Sequence, residues 1–419
     1  MTPSTEASIS ELDEIDLYDP RGYEAAAPYD VFARLRREQP VFRQEMPDGS
    51  FYWALLKHAD VVAVSKRPEL FSAERGGVVL EDQAPEQLEQ TKNMLLMMDP
   101  PRHSELRKKA YPHFRPRRIG ELEDRIRVIC GELLDRGAEQ GELEFVHDLA
   151  ALVPSQVFGE LMGIPPEDRA QINRWAEMMT GGQDPDVNPD ATSDSYSAST
   201  NEGSVEMAMY GMRFAESRRG WDGEPRDLGD LLLATEVEGK PMDDLQFAYF
   251  FVQLVTAGND TTRTMISSGL LELLRHPDQH DKVRADRSLA ASTVEEVLRY
   301  APPLHYFRRT LTAETEVRGQ PMAAGDKVAM IYSSANRDED AFTDPDTFDV
   351  TRHPNPHLAF GIGEHFCLGV HLARLEGRVF LEEMLDRWPS VELAGEPRRQ
   401  RSNLNNALKS LPIRVGRPR

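Results

Sequence analysis

The sequence predicts a mainly α-helical protein with a smaller β region. Two segments, "APYDVFARLRREQ" (27–39) and "LARLEGRVFLEEMLDRW" (372–388), carry apolar residues three and four positions apart, which is the spacing of an amphipathic helix. Three shorter segments, "SFYWALL", "KVAMIY" and "LPIRVG", have the composition of strands. No internal repeat and no Pro- or Ser-rich linker divides the chain. We therefore expect one domain over 15–419, preceded by a disordered tail over 1–14.

The composition excludes several classes of function. The net charge of −22 opposes binding to nucleic acid or to an anionic membrane surface. Two cysteines cannot form a disulfide framework, which indicates a reducing compartment and predicts a cytoplasmic protein. Residues 1–19 are acidic and polar, unlike a signal peptide. The most apolar stretch, 247–258, is shorter than the roughly 20 residues that cross a bilayer. We expect neither nucleic acid nor a membrane as a partner.

One segment interrupts the helical pattern. Residues 181–204, "GGQDPDVNPDATSDSYSASTNEGS", are polar and rich in turn-forming residues, with little to bury. Such a composition is typical of a disordered surface loop. A long loop inside a compact domain is also often functional, so a mobile lid between two helices is the second interpretation.

The strongest functional signal is the stretch "FGIGEHFCLG", which ends at Gly369. Cys367 lies between a glycine-broken, irregular segment and an amphipathic one, so it is predicted at a loop-to-helix junction. Free N–H groups and the helix dipole favour a thiolate there. Gly361, Gly363 and Gly369 allow the backbone to turn tightly and to approach a flat ligand closely. This arrangement suits a soft metal held through one sulfur.

Other chemistries fit this stretch less well. Zinc needs about four ligands, and the second cysteine, Cys130, belongs to a helical segment where we expect it to be buried core. A cysteine hydrolase needs an aligned general base, and His365 is only two residues from the sulfur. A dinucleotide-binding loop would have glycine where Phe366 stands, and no strand precedes it. A thiolate-ligated haem iron agrees with every feature.

The stretch resembles the haem-binding signature of the cytochrome P-450 monooxygenases. Its fixed positions are occupied by Phe360, Gly361, Gly363, His365, Cys367 and Gly369. The resemblance implies the triangular, mainly helical cytochrome P-450 fold and haem b with Cys367 as the iron ligand. It also implies that O2 and two electrons are used to oxidise an apolar organic substrate.

A second segment, "AGNDTT" (257–262), resembles the oxygen-activation segment of the same family. Read alone, it could be a helix kink with a satisfied polar pair. The resemblance implies that Ala257 and Gly258 leave room above the haem. It further implies that Asp260 and Thr261 relay protons to bound dioxygen.

A third segment, "EEVLRY", places Glu296 and Arg299 three positions apart on one face of a predicted helix. Most such pairs are exposed and contribute at most about 1 kcal/mol. The family buries this pair and adds an arginine from the segment before the cysteine loop, which is Arg352 of "FDVTR" here. The resemblance makes all three residues structural.

A fourth segment, "DPPRHSELRKKAYPHF", places His103 and Arg107 one helical turn apart. It could be a basic, exposed helix. The resemblance implies that both residues bind the haem propionates, together with His365 and Arg309 of "FRRT". Its neighbour Arg308 is the alternative, and the family's spacing favours Arg309.

The chain also suggests its partners. Between Arg102 and Arg118 lie seven Lys or Arg residues and one acid, Glu105. This run is either a solvated surface or a docking patch for a small acidic electron donor. No flavin or ferredoxin domain is recognisable in the chain, so the resemblance implies a separate ferredoxin and ferredoxin reductase that draw on NAD(P)H.

The substrate is predicted only as a class. By family geometry the pocket would be lined by residues around 73–97, by 176–215, by the helix near Ala257 and by "LHYF" (304–307). Their methionines and leucines are either core residues or the lining of a pocket for a sizeable apolar substrate. A sterol, a branched lipid or a terpenoid is the first expectation. A tailoring oxidase of a secondary-metabolite pathway, acting on a peptide or polyketide, is the alternative, as are a haem-thiolate protein with non-monooxygenase activity and a haem sensor or carrier.

Overall fold

The computed structural model describes residues 14–188, 193–221, 223–237 and 239–416. Almost all of the predicted N-terminal tail therefore lies outside the described residues. The helices, numbered along the chain, are α1 Tyr29–Glu38, α2 His58–Ser65, α3 Pro85–Thr91, α4 Arg102–Ala110, α5 Pro116–Gly120, α6 Glu123–Gln140, α7 Leu152–Met162, α8 Pro166–Thr180, α9 Ser193–Arg218, α10 Leu228–Leu233, α11 Asp244–Arg275, α12 Pro277–Ala285, α13 Ala290–Tyr300, α14 Tyr332–Ala335 and α15 Val370–Arg387. Short 3-10 turns lie at Pro20–Tyr23, Leu95–Met97, Tyr111–Phe114, Arg287–Leu289 and Gly363–His365, and a π turn at Val146–Ala150.

The strands are shorter and form small sheets. They are β1 Val41–Glu45, β2 Phe51–Leu55, β3 Phe71–Ser72, β4 Glu142–Glu144, β5 Glu236–Val237, β6 Lys240–Pro241, β7 Tyr306–Leu311, β8 Thr315–Val317, β9 Gln320–Met322, β10 Lys327–Ile331, β11 Val391–Leu393, β12 Arg398–Arg399, β13 Leu408–Ser410 and β14 Pro412–Val415. The largest sheet has the order β1-β2-β10-β7-β3, with β10 parallel to β2 and the other pairs antiparallel. The three strands and two amphipathic helices expected from the sequence are all present, so the prediction of a mainly helical fold with a smaller β region is confirmed.

The long helix α11 runs through the interior and organises the helical region. A capping box begins it: the Asp243 side chain accepts from the N–H of Gln246 at 2.8 Å, and Gln246 Oε1 accepts from the N–H of Asp243 at 3.1 Å. The helix packs against α7, α8, α9, α13 and α15. Because neighbours cover it on several sides, its buried residues are not confined to one stripe. None of the helices in the described residues is long and apolar enough to cross a membrane.

The described parts of the polar segment 181–204, which are residues 181–188 and 193–204, form turns and a helix rather than an irregular loop. Residues 181–188 form turns, in which buried Asp184 accepts from Lys409 Nζ at 3.1 Å and from the N–H of Arg401 at 2.7 Å. Residues 193–204 belong to α9, which packs on α8 and α11. Gly203 fits against the carbonyl oxygen of Trp175, where a Cβ would be too close at 2.7 Å. Tertiary packing therefore imposes a helix on a sequence that has little hydrophobic signal of its own.

Candidate active site

The loop that carries Cys367 is held by its own backbone. Gly361 and Gly363 have positive φ angles of 66° and 77°, a conformation that other residues rarely adopt. A Cβ on Gly363 would also collide with the carbonyl oxygen of Ser65 at the end of α2. The N–H of Cys367 donates to the carbonyl oxygen of Phe360 at 2.9 Å, which closes the loop. The sulfur is thereby fixed three residues before α15 begins, at the predicted loop-to-helix junction.

The protein by itself does not favour the thiolate form of Cys367. Burial raises the pKa of the thiol, and this effect outweighs the N–H of Gly369 and the charges of Arg107 and Arg374, which lower it. The expectation that the helix terminus would favour a thiolate is therefore incomplete: the N–H contribution exists, but desolvation is larger. A bound metal cation would supply the missing positive charge.

Cys367 forms one wall of a cavity of about 220 Å³. A second wall comes from α11 and includes Ala257, Gly258 and Thr261. A Cβ at Gly258 would meet only Phe158 Cδ2, at 3.8 Å, so this helix presents a smooth surface to the cavity. The loop residues Phe360, Gly361 and Gly369 line the cysteine side with only small or aromatic groups. The space between the two walls suits a flat ligand.

Basic side chains gather in one region of the cavity, and the two arginines among them lack acidic partners. His103 and Arg107 of α4, Arg309 of β7 and His365 all line it. Among the described residues, neither Arg107 nor Arg309 forms a salt bridge with a carboxylate, and both ring nitrogens of His365 are buried without a hydrogen-bond partner. His103 stacks on His365 at 4.2 Å and approaches only one acid, Glu364, at 3.4 Å.

The electrostatics of this region favour a negatively charged ligand. Burial lowers the pKa of Arg107 and of Arg309, and it lowers the pKa of His365 to about 2, with the charge of Arg309 adding to the effect. His365 is therefore neutral and can donate a hydrogen bond, whereas Arg107 and Arg309 are cations without counter-ions, which are costly to bury unless an anion joins them. Carboxylates on the edge of a flat ligand would neutralise them, so these residues fit the propionates of haem b.

The sheet register separates Arg309 from Arg308. The two residues are neighbours on β7, so their side chains point to opposite faces. Arg308 donates to Asp82 at 2.7 Å and to the carbonyl oxygen of Leu80 at 3.1 Å. Arg309 lines the cavity and donates to the carbonyl oxygen of Arg308 at 2.7 Å. The structure thus places Arg309 at the cavity and commits Arg308 to another contact.

The pair Asp260 and Thr261 does not enter the cavity together. Thr261 lines it, with its hydroxyl donating to the carbonyl oxygen of Ala257 at 2.6 Å. Asp260 is buried and paired with Arg263, whose other amino group contacts Glu177 of α8 at 3.2 Å. Sequence reasoning missed Arg263 and Glu177, although the i,i+3 spacing of Asp260 and Arg263 was a readable signal.

The residues Glu296, Arg299 and Arg352 form a buried network behind the cysteine loop. Arg299 donates to both carboxylate oxygens of Glu296, at 2.7 and 2.8 Å, and Arg352 donates to them at 3.2 Å. The amide of Asn355 adds a bond to Glu296 at 3.1 Å. Arg299 also donates to three backbone carbonyls in the segment that leads to the loop. None of the three lines the cavity.

The rest of the cavity differs in part from the prediction. Residues of 73–97 and 304–307 line it as expected, represented by Leu95, Leu96, Leu304 and Phe307. No described residue of 176–215 does. The lining residues that the prediction did not name include the polar residues Gln253 and Glu376. Glu376 is fully buried on α15, and burial raises the pKa of its carboxyl group to about 8.

The methionines of α9 are not part of the cavity wall. Met207 is buried in the hydrophobic core, whereas Met209 and Met212 are 45% and 42% exposed. The segment therefore supplies core packing and surface rather than a substrate lining.

A cysteine in the wall of a cavity, together with two lining arginines that form no salt bridge with any described residue, fits a haem-thiolate site. The chain belongs to the cytochrome P450 family. The sequence profile described as "Cytochrome P450" matches residues 208–415. The protein is accordingly a haem b monooxygenase that uses O2 and electrons from redox partners.

Individual relatives extend this similarity over nearly the whole chain. A methyl-branched lipid omega-hydroxylase of Mycobacterium tuberculosis is 38% identical over 98% of this chain and 96% of the relative. A steroid C26-monooxygenase of Rhodococcus jostii is 34% identical over 95% and 84%, respectively. The solved structure of a Mycobacterium marinum cytochrome P450 in complex with pseudoionone superposes with a TM-score of 0.89 at 35% identity, covering 96% of this chain and 98% of that one.

Proposed function

We propose that this monooxygenase oxidises a neutral, extended apolar molecule of the branched-lipid, sterol or terpenoid class. The observation that carries the proposal is the mostly apolar lining of the cavity. Leu95, Leu96, Phe158, Leu254 and Phe307 supply apolar surface to the cavity. The polar side chain among them is Gln253, and its Oε1 already accepts from the N–H of Leu96 at 3.1 Å. A charged head group would find no counter-ion beside these residues.

The named relatives support this class. Similar proteins carry the names methyl-branched lipid omega-hydroxylase, steroid C26-monooxygenase and linalool 8-monooxygenase. These names cover a branched lipid, a steroid and a terpenoid, which are all largely hydrocarbon. Their shared chemistry agrees with the apolar part of the cavity.

We assign the site residues as follows. Haem, when bound, supplies the iron at which dioxygen is activated. Cys367 holds the iron, and the glycines around it allow the close approach of the ring. His103, Arg107, Arg309 and His365 bind the propionates and fix the orientation of the ring.

The proton supply belongs to α11. The Thr261 hydroxyl lies in the cavity wall and donates to its own helix, so it can also accept a hydrogen bond from water or substrate oxygen. Asp260, in the assigned role, delivers protons to that hydroxyl. To do so it must exchange its contact with Arg263 for one with Thr261 or with water. Glu177 offers Arg263 an alternative partner during that exchange.

A ferredoxin with its reductase, in the cytoplasm, is our proposed source of electrons. The support is a set of exposed cations on α4, on α5 and in the segment between them, in an acidic protein, represented by Lys108, Arg115 and Arg117. Fewer of the basic residues between Arg102 and Arg118 are available to a partner than the sequence suggests, because Arg107 faces the cavity and Arg118 pairs with Glu121 at 2.7 Å. An acidic donor would be steered to these charges.

The docking patch is tested by reversing charge. We expect Arg115→Glu and Arg117→Glu to slow reduction of the haem by an acidic ferredoxin, with an effect that weakens at high salt. Arg37→Glu, at an exposed arginine of α1, is the matched control. Equal rates of haem reduction in the patch variants and in the control would refute the assignment of these residues as a docking patch.

The substrate class is tested by optical titration of the ferric holoenzyme. We expect a shift of the Soret band to shorter wavelength with branched lipids, sterols or terpenoids, because an apolar ligand displaces water from the iron. Leu96→Trp should abolish the shift by filling the apolar part of the cavity, while Val128→Trp at an exposed position of α6 should not. A shift with peptides or polyketides alone would refute the apolar class and favour a tailoring oxidase.

A further inference from the structure

A second cavity lies in the protein interior, where α11, α13 and α15 cross. We call it the inner cavity; its volume is about 30 Å³. The lining used below comprises Met265, Gly269, Thr293, Val294, Val297 and Gly377. Met265 lines this cavity and the larger active-site cavity as well. One flexible side chain therefore forms a shared wall between the two spaces.

Two glycines line the inner cavity. Gly269 on α11 and Gly377 on α15 both face it without a side chain. A Cβ on Gly377 would meet Met265 Cε at 2.8 Å and Val294 Cγ2 at 3.2 Å, so this glycine makes room for the Met265 side chain. A Cβ on Gly269 would meet only the methyl groups of Val297, at 3.4 and 3.5 Å. The space at Gly269 is thus large enough for an added methyl group.

The inner cavity is unsuitable for water. No polar atom contributes to its surface. The hydroxyl of Thr293 faces its own helix and donates to the carbonyl oxygen of Leu289 at 2.8 Å. A water molecule needs two to four polar partners, and apolar cavities without them stay dry and bind apolar atoms or molecules such as xenon. A volume of about 30 Å³ admits one very small molecule and excludes an organic substrate.

We propose that the inner cavity is a binding site for dioxygen, and that movement of Met265 connects it to the active site. Dioxygen is small, apolar and required by the monooxygenase reaction, on which this inference rests. Methionine has three rotatable side-chain bonds and adapts easily to a changed neighbour. Met265 can therefore open the shared wall without moving a helix. The cavity would hold the gas one side chain away from the space where it reacts.

Xenon tests the site directly. Crystals of the haem-loaded protein under xenon pressure are expected to show xenon in the inner cavity. Gly269→Ala should remove this xenon, because the new methyl group occupies the space with ordinary van der Waals contacts to Val297. Thr293→Val is the matched control in the same wall, since it keeps the volume and should keep the xenon. Absence of xenon from the wild-type inner cavity would overturn the proposal.

Gas traffic is tested by flash photolysis of carbon monoxide from the ferrous holoenzyme. In the wild type, part of the rebinding should come from gas held in the inner cavity, and xenon pressure should change that part. Gly269→Ala should lose the xenon-sensitive component, whereas Thr293→Val should retain it. Xenon binding with identical rebinding in the wild type and Gly269→Ala would refute the link to the active site. The thiolate-type carbonyl spectrum reports the haem site separately, so its loss would count against the function and not against the cavity.

Discussion

Replacement of Arg299 by methionine should strongly destabilise the protein. The Arg299 side chain is fully buried, and five hydrogen bonds satisfy it. Two of these go to Glu296 and three to the carbonyls of Asn336, Pro345 and Thr347. Methionine fills much of the same space but makes none of them. The substitution therefore leaves a buried carboxylate and three carbonyls with fewer partners, next to the segment that positions the cysteine loop.

The size of the effect depends on which hydrogen-bond partners Glu296 keeps after the substitution. Removing one partner of a buried ion pair costs about 3–5 kcal/mol. Arg352 would still donate to Glu296 at 3.2 Å, so the charge is not left alone and the lower end applies. We expect the free energy of unfolding to fall by about 3 kcal/mol, which is roughly a hundredfold in the unfolding equilibrium. Arg299→Lys should rescue little, because an ammonium group cannot reproduce the planar fork.

Urea unfolding of the holoenzyme measures this change, with tryptophan fluorescence and the Soret band followed in parallel. The control is Arg118→Met, which removes an exposed pair whose members are 62% and 52% accessible. That pair should contribute at most about 1 kcal/mol. A loss for Arg299→Met no larger than for the control would refute the assignment of the buried network as the support of the loop.

Three further predictions concern the cavity. Thr261→Ala should keep the haem spectrum but lower the product formed per electron pair and raise peroxide release, because the cavity loses its hydroxyl; unchanged coupling, measured by NADPH and product assays, would exclude the relay role. Cys367→His should leave haem bound through nitrogen and abolish monooxygenation, and a retained thiolate-type carbonyl band would contradict the ligand assignment. For Glu376 the folded-state pKa of about 8 lies above its ordinary value of 4.5, so the proton stabilises the fold fully below pH 4.5 and this stabilisation is lost as the pH rises through 8. Glu376→Gln should remove that dependence and be more stable than the wild type at pH 7 by up to roughly 3 kcal/mol, from 1.4 kcal/mol per pKa unit. If the urea midpoint changes by the same amount between pH 5 and pH 7.5 in the wild type and in Glu376→Gln, the assignment of the pH dependence to Glu376 is refuted.

The amino-acid sequence was sufficient for the class of the protein and for many of the residues that line its cavity. Cys367 could be recognised because a tight glycine loop before a helix is a local feature, which depends only on residues that are close together in the sequence. Thr261 and the pair Glu296 and Arg299 were equally readable, since their spacing on a helix sets which of them share a face. The helices and strands with clear apolar periodicity were predicted for the same reason.

The tertiary structure decided what depends on distant neighbours. The helix over 193–204 exists because α8 and α11 pack against it, and its own composition indicates a loop. Asp260 and Thr261 are adjacent in sequence, yet Arg263 holds one of them away from the cavity while the other lines it. The pKa of Glu376 depends on burial by elements far along the chain, which no local pattern reports.

The inner cavity is the clearest case of this division. Gly269 and Gly377 are separated by more than a hundred residues and look ordinary in the sequence. They line one space only because α11 and α15 pack together where both glycines face inward. Local spacing therefore determined which residues could carry the haem-thiolate chemistry. Long-range packing decided how those residues are oriented, charged and connected, because burial and contact are properties of the folded chain.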